Sequence, residues 1–395
     1  MIVRVHPGAL SGRVPAIVSK SAAHRALLLA AVSDGPTRVS PEAHSEDIDA
    51  TLGCLASLGA CWEKAPGGML VTPGARAPSG AADCFESGST LRFLIPLAAA
   101  LGAATRFTGR GRLPERPLGP LVGALTAHGC RFDGGSKLPF TVSGRLSGGE
   151  FRLPGDVSSQ FITGLLMALP LAGGGKILLT SPLESAGYVR MTVSAMAHFG
   201  VPVRSIDGGW AVPAGRYHSP GALMVEGDWS SAAFFLAAGA KVTGLDEASA
   251  QPDRAILSML KAFHAPVRTL DVRETPDLLP ILAAVAATTP GETRFTGAAR
   301  LRIKESDRLR AMAEGIRGIG GDAVEEADGL IVRCERPPAG GEADAAGDHR
   351  IAMALAVAAT RCRGPVILCG AEAVNKSYPA FFDDFRRLGG RADVL

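Results

Sequence analysis

Short polar clusters stand directly before apolar, alanine-rich runs at six places in the chain, and several of them carry Lys or Arg. The six are Ser19-Lys20-Ser21, Ser87-Gly88-Ser89, Ser158-Ser159-Gln160, Ser230-Ser231, Pro276-Asp277 and Asp348-His349-Arg350. Small polar residues ahead of an apolar run favour the start of a helix. A helix N-terminus presents unpaired N–H groups and the positive end of the helix dipole, so it attracts anions. We therefore expect the six helix starts to converge on one anionic ligand.

The first cluster combines a helix start with a positive charge. A basic side chain at the N-terminus opposes the helix dipole, so Lys20 needs a reason to be there. A spacing of four residues puts His24 on the Lys20 face of the helix and Arg25 on the Ser21 face. We interpret the cluster as a clamp for a phosphate or carboxylate group. The alternative is a capped helix with solvated charges.

The segment Lys304-Glu305-Ser306-Asp307-Arg308 predicts another charged helix start. Lys304 and Arg308 would share one helix face, and Glu305 would point about 100° away from them. In isolation, this segment favours an exposed helix start whose charges pair with one another.

The cluster Asp348-His349-Arg350 opens a run, residues 351–357, that is apolar on every side. A helix that is apolar all round is buried. The three polar residues are therefore predicted at the mouth of a core, which is hard to explain as ordinary surface. Asp277 and Ser158-Ser159-Gln160 have a simpler alternative, because each could be a plain N-cap.

The helix starts recur about every 70 residues, which predicts one supersecondary unit used six times. After each capped helix comes a second helical pattern, and five of the six end in a Gly that can supply the left-handed C-cap. The copy that ends at residues 263–266 lacks this Gly. Short β-type runs lie between the helices at residues 2–5, 68–72, 140–143, 176–180 and 329–333. The unit is therefore predicted as strand–helix–strand–helix–strand–strand, three units to a domain.

Composition narrows the class of protein. At 395 residues the chain predicts two domains. A net charge of +3 is too small to indicate a nucleic-acid or membrane partner, and no apolar stretch approaches the length of a membrane span. The seven Cys form no C-x-x-C pair and the eight His no metal-binding cluster, so we expect reduced thiols and no metal. These features predict a cytoplasmic protein.

Nine short motifs, in an order that runs nearly end to end, resemble the enolpyruvyl transferase family. They are Ser19-Lys20-Ser21 with Arg25, Ser87-Gly88-Ser89-Thr90-Leu91-Arg92, Glu115-Arg116-Pro117, Ser158-Ser159-Gln160-Phe161, Ser185 with Tyr188, Pro276-Asp277, residues 302–308, Asp348-His349-Arg350 and Asn375-Lys376-Ser377-Tyr378-Pro379. The resemblance implies an α/β fold of two domains, each with three inverted βαβαββ repeats in a barrel-like arrangement. It implies that residues 1–18 join residues 226–395 in one domain, that residues 19–225 form the other, and that the active site lies in the cleft between them.

The same resemblance, which is strongest to the branch acting on shikimate 3-phosphate, implies the reaction. The enolpyruvyl group of phosphoenolpyruvate would move to the 5-hydroxyl of shikimate 3-phosphate, releasing phosphate, with no cofactor, in a monomer. The residues implied for shikimate 3-phosphate are Lys20, Ser21, Arg25, Ser158, Ser159, Gln160, Ser185, Asp277 and Lys304. Those implied for phosphoenolpyruvate are Lys20, Gly88, Arg116, Gln160, Arg308, Arg350 and Lys376.

The chemistry needs a base for the 5-hydroxyl and an acid for the methylene carbon. Our hypothesis assigns Asp277 as the base and Glu305 as the acid. Lys20 would assist proton transfer and stabilise the leaving phosphate, with His349 as a helper.

The chain departs from its relatives at several positions. Glu86 stands where many relatives have Asn, Arg300 where some have an Asn that contacts substrate, and Ala186-Gly187 where some have Lys-Pro. A carboxylate at Glu86 would repel a phosphate unless it turned away or were paired. These departures bear on affinity more than on the type of reaction.

Two other functions are compatible with the repeat. One is the enolpyruvyl transferase that acts on UDP-N-acetylglucosamine, which usually has a reactive Cys in the loop corresponding to residues 109–118. That loop contains no Cys here, which argues against this function. The other is a non-catalytic anion-binding protein, which would not need Asp277, Glu305 and His349 together.

Overall fold

Four-stranded sheets built to one plan organise the chain in the computed structural model, which describes residues 1–74, 78 and 80–395. The helices are α1 (Lys20–Ala31), α2 (Glu46–Cys54), α3 (Gly88–Leu101), α4 (Gly119–Ala127), α5 (Ser159–Ala168), α6 (Ala186–His198), α7 (Trp229–Ala237), α8 (Ile256–Met259), α9 (Leu279–Thr288), α10 (Arg308–Gly318), α11 (His349–Ala359) and α12 (Phe381–Arg387).

The strands number from β1 at the N-terminus to β22 at the C-terminus. They are β1 (Ile2–Val5), β2 (Arg13–Pro15), β3 (Thr37–Ser40), β4 (Cys61–Ala65), β5 (Gly68–Thr72), β6 (Ala81–Asp83), β7 (Thr105–Thr108), β8 (Cys130–Asp133), β9 (Phe140–Gly144), β10 (Gly149–Leu153), β11 (Gly175–Leu179), β12 (Arg204–Ile206), β13 (Gly209–Val212), β14 (Ala222–Met224), β15 (Lys241–Thr243), β16 (Val267–Asp271), β17 (Gly291–Thr296), β18 (Asp322–Glu326), β19 (Gly329–Cys334), β20 (Gly341–Asp344), β21 (Val366–Cys369) and β22 (Ala392–Val394).

The repeat predicted from the sequence is present, and its sheets have one topology. In the sheet β6-β7-β9-β8, the first two strands are parallel and the remaining pairs are antiparallel. The sheets β10-β11-β13-β12, β16-β17-β19-β18, β14-β3-β5-β4 and β20-β21-β1-β22 repeat this pattern. In all of these sheets except β14-β3-β5-β4, a helix connects the two parallel strands.

Two strands pair with distant segments and not with the strand that follows their own helix. Strand β2 precedes α1 but pairs with β15, more than 200 residues later, while β14 precedes α7 but pairs with β3. Strand β1 fills the place beside β21 and β22 that a following strand fills in the other copies. The N-terminal residues are thereby tied to the C-terminal half.

Two compact units result from this exchange. One, the discontinuous unit, comprises Met1–Ile17 with Gly227–Leu395, and the other, the continuous unit, comprises Val18–Glu226. These bounds differ by one residue from the expected 1–18 with 226–395 and 19–225. Each unit has its own apolar core, in which helices α1, α3 and α5 are buried in the continuous unit and α9 and α11 in the discontinuous one. Within residues 1–74, 78 and 80–395, every helix is too short or too polar to cross a membrane.

Four of the six predicted helix starts are confirmed. Ser19, Ser87, Ser158 and Asp348 are N-caps, and each side chain accepts a hydrogen bond from a backbone N–H in the first turn. Such caps satisfy amide groups that have no partner inside the helix.

The other predicted starts need correction. The cap of α7 is Asp228, whose carboxylate accepts from the N–H of Ser231 at 2.7 Å, so the serine pair lies inside the helix. Asp277 lies in a 3₁₀ turn, Pro276–Leu278, and makes no cap hydrogen bond. Helix α10 begins only at Arg308, with Asp307 as its cap, so Lys304 and Arg308 do not share a helix face. A competent cap close to the apolar run, Asp228 or Asp307, decides the starts of α7 and α10.

The repeat that ends at residues 263–266 without a terminal Gly is also smaller than the other repeats. Strands β2 and β15 form only a two-stranded sheet, and the second helix is replaced by the 3₁₀ turn Pro252–Ala255, helix α8 and the 3₁₀ turn Leu260–His264. Buried Arg268 holds the end of this segment, because its guanidinium donates to the carbonyls of Phe263 and Ala265. The same group donates to the carbonyls of Thr289 and Pro290 and to the Thr293 hydroxyl. A side chain thus satisfies the carbonyl groups that a Gly cap serves elsewhere.

Replacement of Arg268 by Leu should lower the free energy of unfolding by about 3 kcal/mol, because several buried carbonyl groups lose a charged donor. Urea unfolding followed by circular dichroism measures this loss. Arg294→Leu, which removes a half-exposed ion pair with Glu326 in the same sheet, should cost less than about 1 kcal/mol. Equal losses in the two variants would contradict this role for Arg268.

Candidate active site

In the continuous unit, helix α1 carries two cationic side chains near its start: Lys20 pairs with a carboxylate, and Arg25 donates hydrogen bonds to neutral oxygen atoms. Lys20 Nζ lies 2.6 Å from Asp47 Oδ2. Arg25 is buried, and its guanidinium donates to the backbone carbonyls of Ser21 at 2.6 Å and Tyr188 at 2.9 Å and to the Thr192 hydroxyl at 2.9 Å. Burial lowers the pKa of Arg25 to about 10, against the opposing effect of Tyr188, so the group remains cationic at neutral pH.

Arg25 connects α1 to the start of α6, where Ser185 is buried in the left-handed region at φ 59°. Such a conformation is costly for a residue other than Gly and is often retained at functional sites. Ser185 and Tyr188 are the two ends of the motif that surrounds Ala186-Gly187. The structure therefore brings Ser21, Arg25 and Ser185 into one region of this unit.

Gly88, the first residue of α3, faces two guanidinium groups. A Cβ atom added at Gly88 would lie 2.6 Å from Arg116 Nη1 and 2.9 Å from Arg92 Nη1. Arg92 Nη1 donates to Gln160 Oε1 at 2.8 Å, and Gln160 Nε2 donates to Ser89 Oγ at 2.9 Å. Gly88, Arg116 and Gln160 are thus neighbours, and Ser158 and Ser159 begin the helix that carries Gln160.

Arg92 belongs to one of the nine sequence motifs, but the sequence assigned it no role. The signal was its spacing, since Arg92 follows Gly88 by four residues and shares its helix face. Asp47, the partner of Lys20, was also missed, because it comes from α2, 27 residues away in sequence. Four cations, Lys20, Arg25, Arg92 and Arg116, lie at these helix starts, with two carboxylates, that of Asp47 and that of Glu86 before the Ser87 cap. This balance suits anionic ligands.

Glu86 turns toward the loop that leads to Arg116. A Cβ atom added at Gly111, which has φ +55°, would lie 2.2 Å from Glu86 Oε1. The left-handed backbone favours Gly at this point of the loop, and the Glu86 carboxylate occupies the space beside it. Arg300, another departure from the relatives, donates to the backbone carbonyl of Arg273 at 3.0 Å.

In the discontinuous unit, the buried guanidinium of Arg308 holds three carboxylates. Its Nε lies 2.7 Å from Asp348 Oδ2, its Nη1 2.8 Å from Asp277 Oδ1, and its Nη2 2.8 Å from Glu305 Oε2. Burial alone would lower the pKa of Arg308, yet Asp348, Glu305 and Asp277 raise it above the ordinary value. Glu305 therefore points at Arg308, contrary to the helical geometry expected for residues 304–308, because those residues precede the helix.

Asp277 lies among three cations. Besides Arg308, it approaches Arg350 Nη2 at 3.2 Å and Lys304 Nζ at 3.6 Å. Burial acts to raise the pKa of Asp277, but Arg350, Lys304 and Arg308 outweigh it and hold that pKa well below its ordinary value. Asp277 is therefore an anion throughout the physiological range.

Asp348 connects the remaining members of this set. It is completely buried, it accepts from Ser306 Oγ at 3.1 Å and from the Arg350 N–H at 2.9 Å, and it caps α11. His349 follows it, with Nδ1 3.7 Å from Asp348 Oδ1. Lys376 is buried at the end of the 3₁₀ turn Ala371–Lys376, which packs against α11. The sequence predicted Asp348 at the start of this helix but gave no indication that it also binds Arg308.

Comparison with known proteins identifies relatives of this arrangement. The family model described as EPSP synthase (3-phosphoshikimate 1-carboxyvinyltransferase) matches residues 5–271 and 247–385. A 3-phosphoshikimate 1-carboxyvinyltransferase of Clostridium kluyveri is 41% identical over 99% of this chain and 98% of its own length. One of the same name from Clostridium novyi is 39% identical over the same shares of the two chains.

Solved structures give the same result for the fold. An EPSP synthase from Acinetobacter baumannii superimposes with a TM-score of 0.82 at 26% identity, covering 100% of both chains. The enolpyruvyl transferase NikO from Streptomyces tendae superimposes with a TM-score of 0.80 at 16% identity, covering 99% of this chain and 98% of its own. The α/β fold expected from the sequence is thereby confirmed.

Proposed function

The chain belongs to the EPSP synthase family of 3-phosphoshikimate 1-carboxyvinyltransferases, and from that premise we propose which of its residues transfer the enolpyruvyl group of phosphoenolpyruvate to the 5-hydroxyl of shikimate 3-phosphate. The observation that carries the assignment is the Arg308 cluster. One guanidinium fixes two carboxylates, Asp277 and Glu305, which can serve as base and acid. A protein that only bound anions would gain nothing from carboxylates at its ligand site.

Shikimate 3-phosphate is assigned mainly to the continuous unit. The buried, multiply bonded guanidinium of Arg25 supports this, because a preorganised Arg recognises phosphate with little loss of side-chain entropy. The proposed contacts are Lys20, Ser21, Arg25, Ser158, Ser159, Gln160, Ser185, Asp277 and Lys304.

Phosphoenolpyruvate is assigned to cations of both units and to one backbone position. Gly88 supports this assignment, because the absence of a side chain leaves space beside the Arg116 guanidinium at the positive end of α3. The proposed contacts are Lys20, Gly88, Arg116, Gln160, Arg308, Arg350 and Lys376.

The reaction then proceeds by addition and elimination. Asp277 accepts the proton of the 5-hydroxyl as its oxygen bonds to C2 of phosphoenolpyruvate, and Glu305 donates a proton to C3. The new methyl group returns one proton to Glu305 when the C2–O bond to phosphate breaks, because the product retains a methylene. The proton that Asp277 took from the 5-hydroxyl leaves with the released phosphate, so both carboxyl groups regain their starting states. Lys20 stabilises the departing phosphate and assists the proton transfers, and His349 helps from the start of α11.

The low pKa of Asp277 makes it a weak base in the absence of substrate. Both substrates are polyanions, and their phosphate and carboxylate groups would share the charge of Arg350, Lys304 and Arg308. Neutralising those cations raises the pKa of Asp277, so substrate binding itself would activate the base.

The function is tested by phosphate release from phosphoenolpyruvate with shikimate 3-phosphate as the acceptor. Release that requires shikimate 3-phosphate is the expected result. Release with UDP-N-acetylglucosamine instead would support the other enolpyruvyl transferase, and no release with either acceptor would support a non-catalytic anion-binding protein.

We also propose that the enzyme works in the cytoplasm as a monomer without a cofactor. The seven cysteines are all free thiols and most are buried, which suits a reducing compartment.

Substitution of Gly88 by Ala tests the phosphoenolpyruvate contact. The new methyl group would push against Arg116 and Arg92, so we expect the KM for phosphoenolpyruvate to rise at least about tenfold, with little change in the KM for shikimate 3-phosphate. Steady-state kinetics measures both constants. Gly123→Ala, in helix α4 with open space around the added Cβ, is the matched control and should change neither constant. An unchanged KM in Gly88→Ala would remove Gly88 from the site.

A further inference from the structure

Four buried side chains of the continuous unit form a hydrogen-bonded chain that the assignments above do not use. His24 Nδ1 lies 2.7 Å from Thr51 Oγ1, which lies 2.7 Å from Thr90 Oγ1, which in turn lies 2.7 Å from Ser87 Oγ. Each of the four residues is at most 1% exposed. This series of hydrogen bonds joins three helices, since His24 is in α1, Thr51 in α2 and Thr90 in α3.

The number of protons sets the direction of these hydrogen bonds. Thr90 donates its hydroxyl proton to Ser87 Oγ. Each hydroxyl has only one proton, so Thr51 must donate to Thr90. Thr51 then has no proton for His24, and His24 Nδ1 must be the donor to Thr51.

The imidazole of His24 is therefore the Nδ1–H tautomer. Burial lowers its pKa to about 3, with Lys20 and Arg25 acting in the same direction and Asp47 against them, so the ring is neutral. Its Nε2 carries no proton, and among the described residues it has no hydrogen-bond partner. The ring consequently acts on the protein through Nδ1.

The series of hydrogen bonds that begins at His24 ends at Ser87, the N-cap of α3. Ser87 Oγ also accepts from the N–H of Thr90 at 3.3 Å, and Ser87 directly precedes Gly88. The middle of the network lies beside Asp47, whose backbone carbonyl oxygen is 3.4 Å from Thr51 Oγ1 and whose carboxylate binds Lys20. A break in the chain would leave a buried polar group without a partner and would loosen the start of α3.

We propose that His24 is a positioning residue for phosphoenolpyruvate, acting through Thr51 and Thr90 to fix the Ser87 cap and with it Gly88. The inference rests on the proposed function, because Gly88 is there assigned to phosphoenolpyruvate. His24 needs no contact with either substrate for this role.

Two substitutions of His24 separate its nitrogen atoms. The amide nitrogen of His24→Asn can take the place of Nδ1 and preserve the donor to Thr51. The longer amide of His24→Gln reaches the place of Nε2 and leaves Thr51 without its donor. We expect His24→Gln to raise the KM for phosphoenolpyruvate about tenfold, the effect of one buried hydrogen bond, while its kcat and its KM for shikimate 3-phosphate stay within about twofold. His24→Asn should stay within about twofold of the parent in all three constants.

Thr90 provides a second test should the His24 variants fold poorly. Thr90→Val breaks the chain and should reproduce the tenfold rise in KM for phosphoenolpyruvate, whereas Thr90→Ser restores the hydroxyl and should reverse it. Thr105→Val is the matched control, because Thr105 is equally buried in the same unit but its hydroxyl donates to the Ala103 carbonyl, outside this network.

Equal KM values in His24→Gln and His24→Asn, or a rise of the same size in Thr105→Val, would overturn the proposal. The tautomer is tested apart from activity by the ¹⁵N shifts of the ring nitrogens of His24 in the full chain, and an Nε2–H tautomer would also overturn it. A parent enzyme that released no phosphate with shikimate 3-phosphate would refute the proposed function, while the ¹⁵N measurement would still report on the hydrogen-bonded chain.

Discussion

Replacement of Glu305 by Gln should reduce kcat by about a thousandfold and leave the affinity for shikimate 3-phosphate nearly unchanged. The amide has almost the shape of the carboxyl group and can still accept a hydrogen bond from Arg308, so the cluster should keep its geometry. It cannot donate a proton to C3 of phosphoenolpyruvate. Rapid-quench measurement of a single turnover reports the chemical step, and calorimetric titration reports the affinity.

Glu314→Gln is the control for this experiment, because Glu314 is exposed on α10 in the same unit. It should leave both measurements at the parent values. If Glu305→Gln retained turnover, Glu305 would not be the acid. If it instead lost both turnover and affinity, its main role would be to hold Arg308.

The fold was largely predictable because its signals are local. A Ser or Asp cap beside an apolar run identified α1, α3, α5 and α11, and the C-terminal Gly identified the ends of five second helices. The small repeat that ends at residues 263–266 was predictable only in part. The missing Gly marked it, but no pattern in the sequence indicated that Arg268, in the strand that follows, would bind the carbonyl groups of Phe263 and Ala265.

The candidate site was less predictable, because its geometry depends on contacts between distant segments. Periodicity placed Lys304 and Arg308 on one helix face, whereas the cap at Asp307 starts the helix later and turns Glu305 toward Arg308. Asp348 was expected at the mouth of a core, but its bonds to Arg308, 40 residues earlier in the chain, have no sequence signature. Residue type and spacing therefore identify which charges matter, while long-range pairing decides what each charge does.

Substitution of Asp277 by Asn should also reduce kcat by about a thousandfold, since the amide cannot accept the 5-hydroxyl proton. In addition it should destabilise the discontinuous unit, which the Glu305 variant should do much less. Arg308, Arg350 and Lys304 would lose the carboxylate that they share, and the cluster would retain three cations against two carboxylates. We expect the free energy of unfolding at pH 7 to fall by about 3 kcal/mol.

This loss of stability should depend on pH in a direction that the pKa of Asp277 determines. Because the folded protein holds that pKa well below the ordinary value of 3.8, the ionised carboxylate stabilises the folded state. Its contribution is complete above about pH 4 and disappears as the pH falls through the lowered pKa of the folded state. The unfolding free energies of the parent and of Asp277→Asn should therefore differ at pH 5–8 and converge only in stronger acid.

Urea unfolding of both proteins across this range measures the convergence. Asp322→Asn, which alters an exposed carboxylate 3.8 Å from Arg333 in the same unit, should leave kcat and the pH dependence unchanged. A difference that stayed constant from pH 7 into strong acid would mean that the pKa of Asp277 is the same in the folded and the unfolded protein, so that the three cations do not hold its carboxylate. A stability of the parent that instead grew relative to Asp277→Asn as the pH fell would mean that Asp277 is neutral in the folded protein, and it would exclude Asp277 as the base even if kcat fell as expected.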